Sequence, residues 1–207
     1  MALVINWQDV SGLRRLENAM ARLDGPQKHM VLQRAVNHTG DKARTQVTRV
    51  LARQTGLPYG VIRKALKINK AGGGSILNGE ISIRTDATLS YVITARGGDI
   101  SLKYFKARET RAGVTAEPFG QRQLFAGTFI KGGRFPNRVT AKGMNGHVYT
   151  PLGNKWRGPV ELKNSGVIIP AEMVSGASAE AFTNIVEAEL PKRVMHEIEY
   201  LAPGIFD

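Results

Sequence analysis

The sequence predicts an α+β protein with N-terminal helices, a central antiparallel β-sheet carrying long basic loops, and a C-terminal helix. Three observations lead there. Apolar residues recur at helical spacing as far as Leu66, the period shortens to two between Ile81 and Thr150, and helical spacing returns from Ser178 onward. Helices and strands therefore fall in separate blocks, the order of an α+β fold and not the alternation of βαβ units.

The first helical signal runs from Leu13 to Leu23, where Leu13, Leu16, Met20 and Leu23 share one face. Asp24-Gly25-Pro26 ends it and opens the next helix, since glycine suits a C-terminal cap and proline a first helical turn. That second helix is predicted over residues 27–53, with Leu32, Val36, Ala43, Val47 and Val50/Leu51 along one stripe. Gly40 sits in its middle and is expected to weaken it. Thr55 and Pro58 open a short helix through Leu66 that turns Val61, Ile62, Ala65 and Leu66 inward. Ala71-Gly72-Gly73-Gly74-Ser75 is predicted to be a flexible break.

Beyond that break Ile81 and Ile83 alternate with polar neighbours, and Leu89–Thr94 is predicted as a strand. Ile100, Leu102 and Tyr104 alternate with Ser101, Lys103 and Phe105 in another, with Gly97-Gly98-Asp99 as the hairpin turn between the two. Leu124–Lys131 and His147–Thr150 give further strands, while residues 106–123 and 131–146 are predicted as long loops. Loops of that length are uncommon in a compact domain unless they are functional, and these are expected to order against neighbouring subunits. The closing helix starts at a Ser178 cap and carries Phe182, Val186, Leu190, Val194, Ile198 and Leu201 on one stripe. Pro191 is expected to kink it or begin a new helix. The division is thus a helical segment over 1–70, a sheet with long loops over 71–170, and a helix packing on the sheet over 171–207, together one compact domain with extensions.

Charge adds a direction to this frame. The net charge of +12 divides into about +5 for residues 1–60, +12 for residues 61–160 and −5 for residues 161–207. A field of that sign attracts nucleic acid, an acidic protein surface or anionic lipid, and the acidic tail can meet the basic middle of a neighbouring subunit. The absence of cysteine excludes disulfides, thiolate zinc sites and thiol nucleophiles. MALVINWQDV has no basic region or apolar stretch of signal-peptide length, and no later run reaches the length of a membrane span. The expected place of synthesis is the cytoplasm.

Enzyme chemistry finds no foothold in the residue pattern. His29, His38, His147 and His196 show no HxxxH or HExxH spacing, no serine sits in a GxSxG turn, and Gly72-Gly73-Gly74-Ser75 lacks the Lys-Ser/Thr pair of a phosphate loop. The acids of the middle section, Glu80, Asp86, Asp99, Glu109 and Glu117, follow no metal-binding spacing, and Glu187, Glu189, Glu197 and Glu199 are expected on a solvated helix face. No catalytic residue, metal or cofactor is expected. Basic and aromatic residues interleave in Lys103-Tyr104-Phe105-Lys106-Ala107-Arg108, in Phe129–Phe135 and in Lys155-Trp156-Arg157. Such a pattern fits phosphate neutralisation with base stacking, and equally an apolar contact with a basic rim; the absence of any nucleic-acid-binding signature favours the rim.

The run Ile100–Val114, ISLKYFKARETRAGV, followed by Phe125-Ala126-Gly127-Thr128-Phe129-Ile130, resembles the phage minor tail protein Z family. Arg157-Gly158-Pro159-Val160 through Ile169-Pro170, the helices around Thr55-Gly56-Leu57-Pro58 and Ile62-Arg63-Lys64-Ala65-Leu66, and the closing helix around Leu190-Pro191 are also similar, so the likeness spans most of the chain. The resemblance implies a non-enzymatic minor tail or tail completion protein, found in the tail or neck of the virion and active in head-tail joining. It also implies a homo-oligomeric ring whose partners are the tail tube or terminator and the head-connector proteins. Lys103, Lys106, Arg108, Arg111, Lys131, Arg134 and Arg138 are the expected contact residues, toward another subunit first and toward the packaged DNA end as the alternative. The stretch 132–146 and the acidic tail depart from the family pattern.

Overall fold

The longest apolar stripe of the sequence becomes the longest element. In a computed structural model, which describes residues 1–6, 21, 23, 25–72, 74–77, 80–83, 89–140, 142–153 and 158–203, the helices among the described residues are α1 (Gly25–Thr55), α2 (Tyr59–Ala65), α3 (Ile169–Met173) and α4 (Gly176–Leu201). The helix expected over 13–23, apart from Ala21 and Leu23, and the triplet 155–157 lie outside the described residues.

α1 and α4 pack along each other and run antiparallel, because Gln54, Lys42 and Arg34 on α1 meet Ser178, Glu189 and Glu197 on α4 in reverse order. Val31, Val36, Val47 and Leu51 from α1 and Leu190, Val194 and Ile198 from α4 are fully buried. Each such side chain contributes about 1.5–3 kcal/mol by leaving water. Exposed ion pairs such as Lys42–Glu189 contribute far less, so the apolar seam holds the helices and the charges set their register.

The described strands are short: β1 (Ala2–Asn6), β2 (Leu66–Asn69), β3 (Gly74–Leu77), β4 (Glu80–Ile83), β5 (Ser90–Ala95) and β6 (Asp99–Ser101) in the first half. β7 (Arg108–Glu109), β8 (Gly113–Ala116), β9 (Gln123–Ala126), β10 (Tyr149–Pro151), β11 (Val160–Leu162) and β12 (Asn164–Ile168) complete the set. They pair antiparallel as β1-β5-β2, β3-β4, β6-β12, β7-β8-β9 and β10-β11. The first of these sheets lies on α1. Tyr91, Ile93 and Ala95 alternate along β5 and are buried. A Cβ on Gly40 would lie 2.3 Å from the Tyr91 ring, so the glycine expected only to weaken α1 is the notch that admits that ring. Beyond the notch the Tyr91 hydroxyl donates to Asp41 at 2.8 Å, and Lys70 donates to the other carboxylate oxygen at 2.7 Å.

Several sequence expectations change. Leu66 leaves the short helix and begins β2, paired with Ala95. The supposed flexible break is anchored at one end and paired at the other: Ala71 is buried and exchanges hydrogen bonds with the Asn37 side chain at 2.8 and 2.9 Å, and Gly74-Ser75 enter the β3-β4 ladder. Gly97-Gly98 do not close a hairpin, since β5 pairs with β1 and β2 whereas β6 pairs with β12. The strand expected through Tyr104 stops at Ser101 and tightens into a 3-10 turn at Leu102–Tyr104. A three-residue period then buries Leu102 and Phe105 and exposes Tyr104. The expected long loop 106–123 contains β7, β8 and the start of β9. Leu124–Lys131 stays a strand only to Ala126, and His147–Thr150 becomes Tyr149–Pro151. α4 is capped at Ser175 and passes through Pro191 as one helix. Ser178 is buried inside its first turn and donates to Gln54 at 2.9 Å. Glu197, placed on a solvated face from sequence, is buried between Arg34 and Arg193.

Candidate interaction surface

The basic middle of the chain folds into an arm made of β7, β8, β9 and the segment that follows. Its inner side is held by Phe105, Val114 and Ala116, all buried. β8 approaches β9 so closely that a Cβ on Gly113 would lie 2.2 Å from the Phe125 carbonyl oxygen, and Gly113 has φ +149°, outside the range that suits an L side chain. Thr110 N–H donates to the Gly113 carbonyl at 2.7 Å, which closes the turn and puts Arg111 at its tip. Thr128 locks the other edge: its hydroxyl donates to the Phe125 carbonyl at 2.7 Å and accepts from Val114 N–H at 3.2 Å.

The segment after β9 folds back on β7. Gly132 and Val139 bridge each other, and Glu109 on β7 accepts from Lys131 N–H at 3.3 Å. Arg138 lies between the two strands of this fold, donating to the carbonyls of Lys131 at 3.2 Å and Gly133 at 2.6 Å. Its Nε stands 3.4 Å from Glu109, an ion pair that is not aligned as a hydrogen bond.

The seven expected contact residues thus separate into two groups. Lys106 pairs with Glu117 at 2.9 Å, a contact that holds the Glu117 carboxyl below its ordinary range together with Arg122. Arg138 is built into the loop, and Lys103 reaches His147 at 3.1 Å while lying 5.2 Å from the Tyr104 ring centre. Burial and the Lys103 charge push the His147 imidazole down, and its Nδ1 stands 2.8 Å from the Ser101 hydroxyl. The Lys ammonium can only donate, so Nε2 is the acceptor and Nδ1 carries the proton. Arg108, Arg111, Lys131 and Arg134, in contrast, are exposed with no side-chain partner among the described residues. Leu124, Phe135 and Val139, all exposed, stand among them on the arm. Sequence reasoning identified the cations but not Glu109, Glu117 and His147, which decide which of them are free. Nothing in the local sequence pairs Glu109 with Arg138.

A second apolar face lies on the β10-β11 hairpin. Its register sets Tyr149 opposite Leu162 and Pro151 opposite Val160, so these four share one side, and Val160 and Leu162 are exposed. A shallow groove of about 550 Å³ runs along the helix pair, lined by His38, Asp41, Lys42, Arg49, Ile185 and Glu189 among others. Burial, then Arg193 and Lys42, push the His38 imidazole down. The Asp41 carboxyl would rise by burial, but hydrogen bonds from Lys70 and Tyr91 outweigh this and leave it below its usual range. No three metal-ligating side chains gather among the described residues, and no described helix is long and apolar enough to cross a membrane.

Comparison with known proteins gives one match. The family model of prophage minor tail protein Z covers residues 13–202, which takes in every described element except β1. No curated protein and no solved structure matches the chain. A family match over that span decides the assignment: the chain belongs to the prophage minor tail protein Z family.

Proposed function

We propose that this minor tail protein is a ring subunit at the head-proximal end of a phage tail, where it takes part in completing the tail and joining it to the head. The observation that carries this reading is the arm, on which exposed Arg108, Arg111, Lys131 and Arg134, without partners among the described residues, stand beside exposed Leu124, Phe135 and Val139. Charge-flanked apolar residues on a framed sheet suit contact with a protein surface. The partners on this reading are further copies of the chain, the tail tube or terminator, and the head connector.

The test is deletion of the gene from an inducible prophage, followed by electron microscopy. Tails of normal length that fail to join filled heads, restored by the full chain supplied in trans, are the expected result. Label from a tagged chain should sit at the head-proximal tip. Label along the tube or at the distal end, or joined virions in the deletion strain, would sink the proposal.

A second reading has the same four free cations touching the end of the packaged DNA. Neutralising four phosphates predicts that log affinity falls against log salt with a slope of about −3.6. Absence of binding to duplex ends at low salt, with tail joining intact, would remove it.

A further inference from the structure

We propose that neighbouring copies join through unlike surfaces, with Arg108 and Arg111 on the arm of one copy docking on the exposed Glu180 and Glu187 of α4 of the next. The inference deepens the ring reading above and rests on it.

The described acids are largely consumed inside the chain. Asp41 is held by Lys70 and Tyr91, Glu109 by Arg138, Glu117 by Lys106 and Arg122, and Glu197 by Arg34 and Arg193. Glu180 and Glu187 differ, being exposed and without a partner among the described residues. Seven residues apart on α4, they lie two turns from each other on one face. Glu161, also exposed and unpartnered, sits on a hairpin strand away from that helix. Both side chains are exposed on the part of α4 that precedes Leu190, Val194 and Ile198, the residues that α4 buries against the core. Met195, 47% exposed, lies about two turns beyond Glu187 and about 80° round the helix from it, and offers an apolar contact to Leu124, 52% exposed on the arm.

Charge decides which surfaces meet. A two-fold contact centred on the arm would set Arg108, Arg111, Lys131 and Arg134 against their own copies, and like charges in a desolvated contact are strongly unfavourable. Docking the arm on the acidic helix face removes that repulsion and pairs free cations with free carboxylates. When each copy offers its arm to one neighbour and its helix to another, the contact is heterologous, and repeated from copy to copy it generates a ring or an open helix. Complementarity of the +12 middle section and the −5 C-terminal section thus becomes a specific pairing between copies.

The chain has no cysteine, so introduced thiols report on a contact without background. Full-length chains carrying only Arg111→Cys or only Glu187→Cys are expressed separately and together during tail assembly, and tails are purified under mild oxidation. Cross-linked dimers from the mixed population only, and a ladder of higher multimers from the double variant, are expected. Dimers from either single variant alone would mean a two-fold contact and overturn the proposal. Multiple copies per tail with no cross-link would overturn it while leaving the ring reading in place, and a single copy per tail would overturn the ring reading itself. As a second measurement, R108E/R111E should lower incorporation into tails by about tenfold or more, and combining it with E180R/E187R should restore it. Failure of the combined variant, shown by circular dichroism to be folded, counts against the pairing.

Discussion

Replacing Gly40 by alanine has a sign that one aromatic ring decides. In an ordinary helix the change stabilises by about 1 kcal/mol, because glycine loses more backbone freedom on folding. Here the new methyl would stand 2.3 Å from the Tyr91 ring, whose hydroxyl is tied to Asp41. Overpacking of that kind costs about 1–3 kcal/mol or more, so net destabilisation by urea titration is expected, with partial recovery when Tyr91 is also made leucine. His147 and His38 set a second residue-scale expectation. Both imidazoles have folded pKa values below 6.5, so the unfolded chain binds more protons in that range. Their contribution to stability is complete above pH 6.5 and is lost as pH falls through that value toward the lower folded ones. The melting temperature should drop between pH 7.5 and pH 5, and His147→Gln should flatten part of the drop.

Among the elements, the arm depends on a few polar locks. Arg138 joins Lys131 and Gly133 to Glu109, and Arg138→Ala removes both carbonyl contacts and the ion pair together. Trypsin should then cut after Arg134 at least several-fold faster than in the native chain while the far-ultraviolet circular dichroism stays unchanged. Equal cutting rates would show that the lock is dispensable. Elements differed in how far they could be read from sequence. α1 and α4 were legible because their stripes persist over many turns, and the error at each end was only a few residues. The 3-10 turn at Leu102–Tyr104 was not, since three residues of alternation look the same in a strand and in a tight turn until Leu102 and Phe105 are both seen to be buried. β8 was hidden for another reason. Gly113 and Ala116 have little strand character, and what makes them a strand is the β9 partner across the Phe125 carbonyl.

Taken as a whole, the molecule keeps its positive charge in one region and its free carboxylates in another. The α+β class and the basic region were readable from block order and charge counts. Which cations are free was not readable, because Glu109 and Arg138 meet only through the folding back of the segment after β9. Sheet pairing was hidden for the same reason: β5 lies between β1 and β2, and β6 reaches forward to β12, all by contacts between residues distant in sequence.

The antiparallel pairing of α1 with α4 has a consequence for the order of events during synthesis. α1 is complete at Thr55, yet the helix that covers its apolar stripe begins only at Gly176. At roughly 5–20 residues per second, ribosomes leave that stripe uncovered for several seconds or more. Joining segments so distant in sequence is also intrinsically slow. Chains ending before Gly176 should therefore aggregate or be degraded, with α1 exposed and Val31, Val36, Val47 and Leu51 in water. A soluble, helical fragment of residues 1–175 would contradict this. If such fragments fail, only chains that have been made through α4 reach the tail, and that helix acts as a check on every copy.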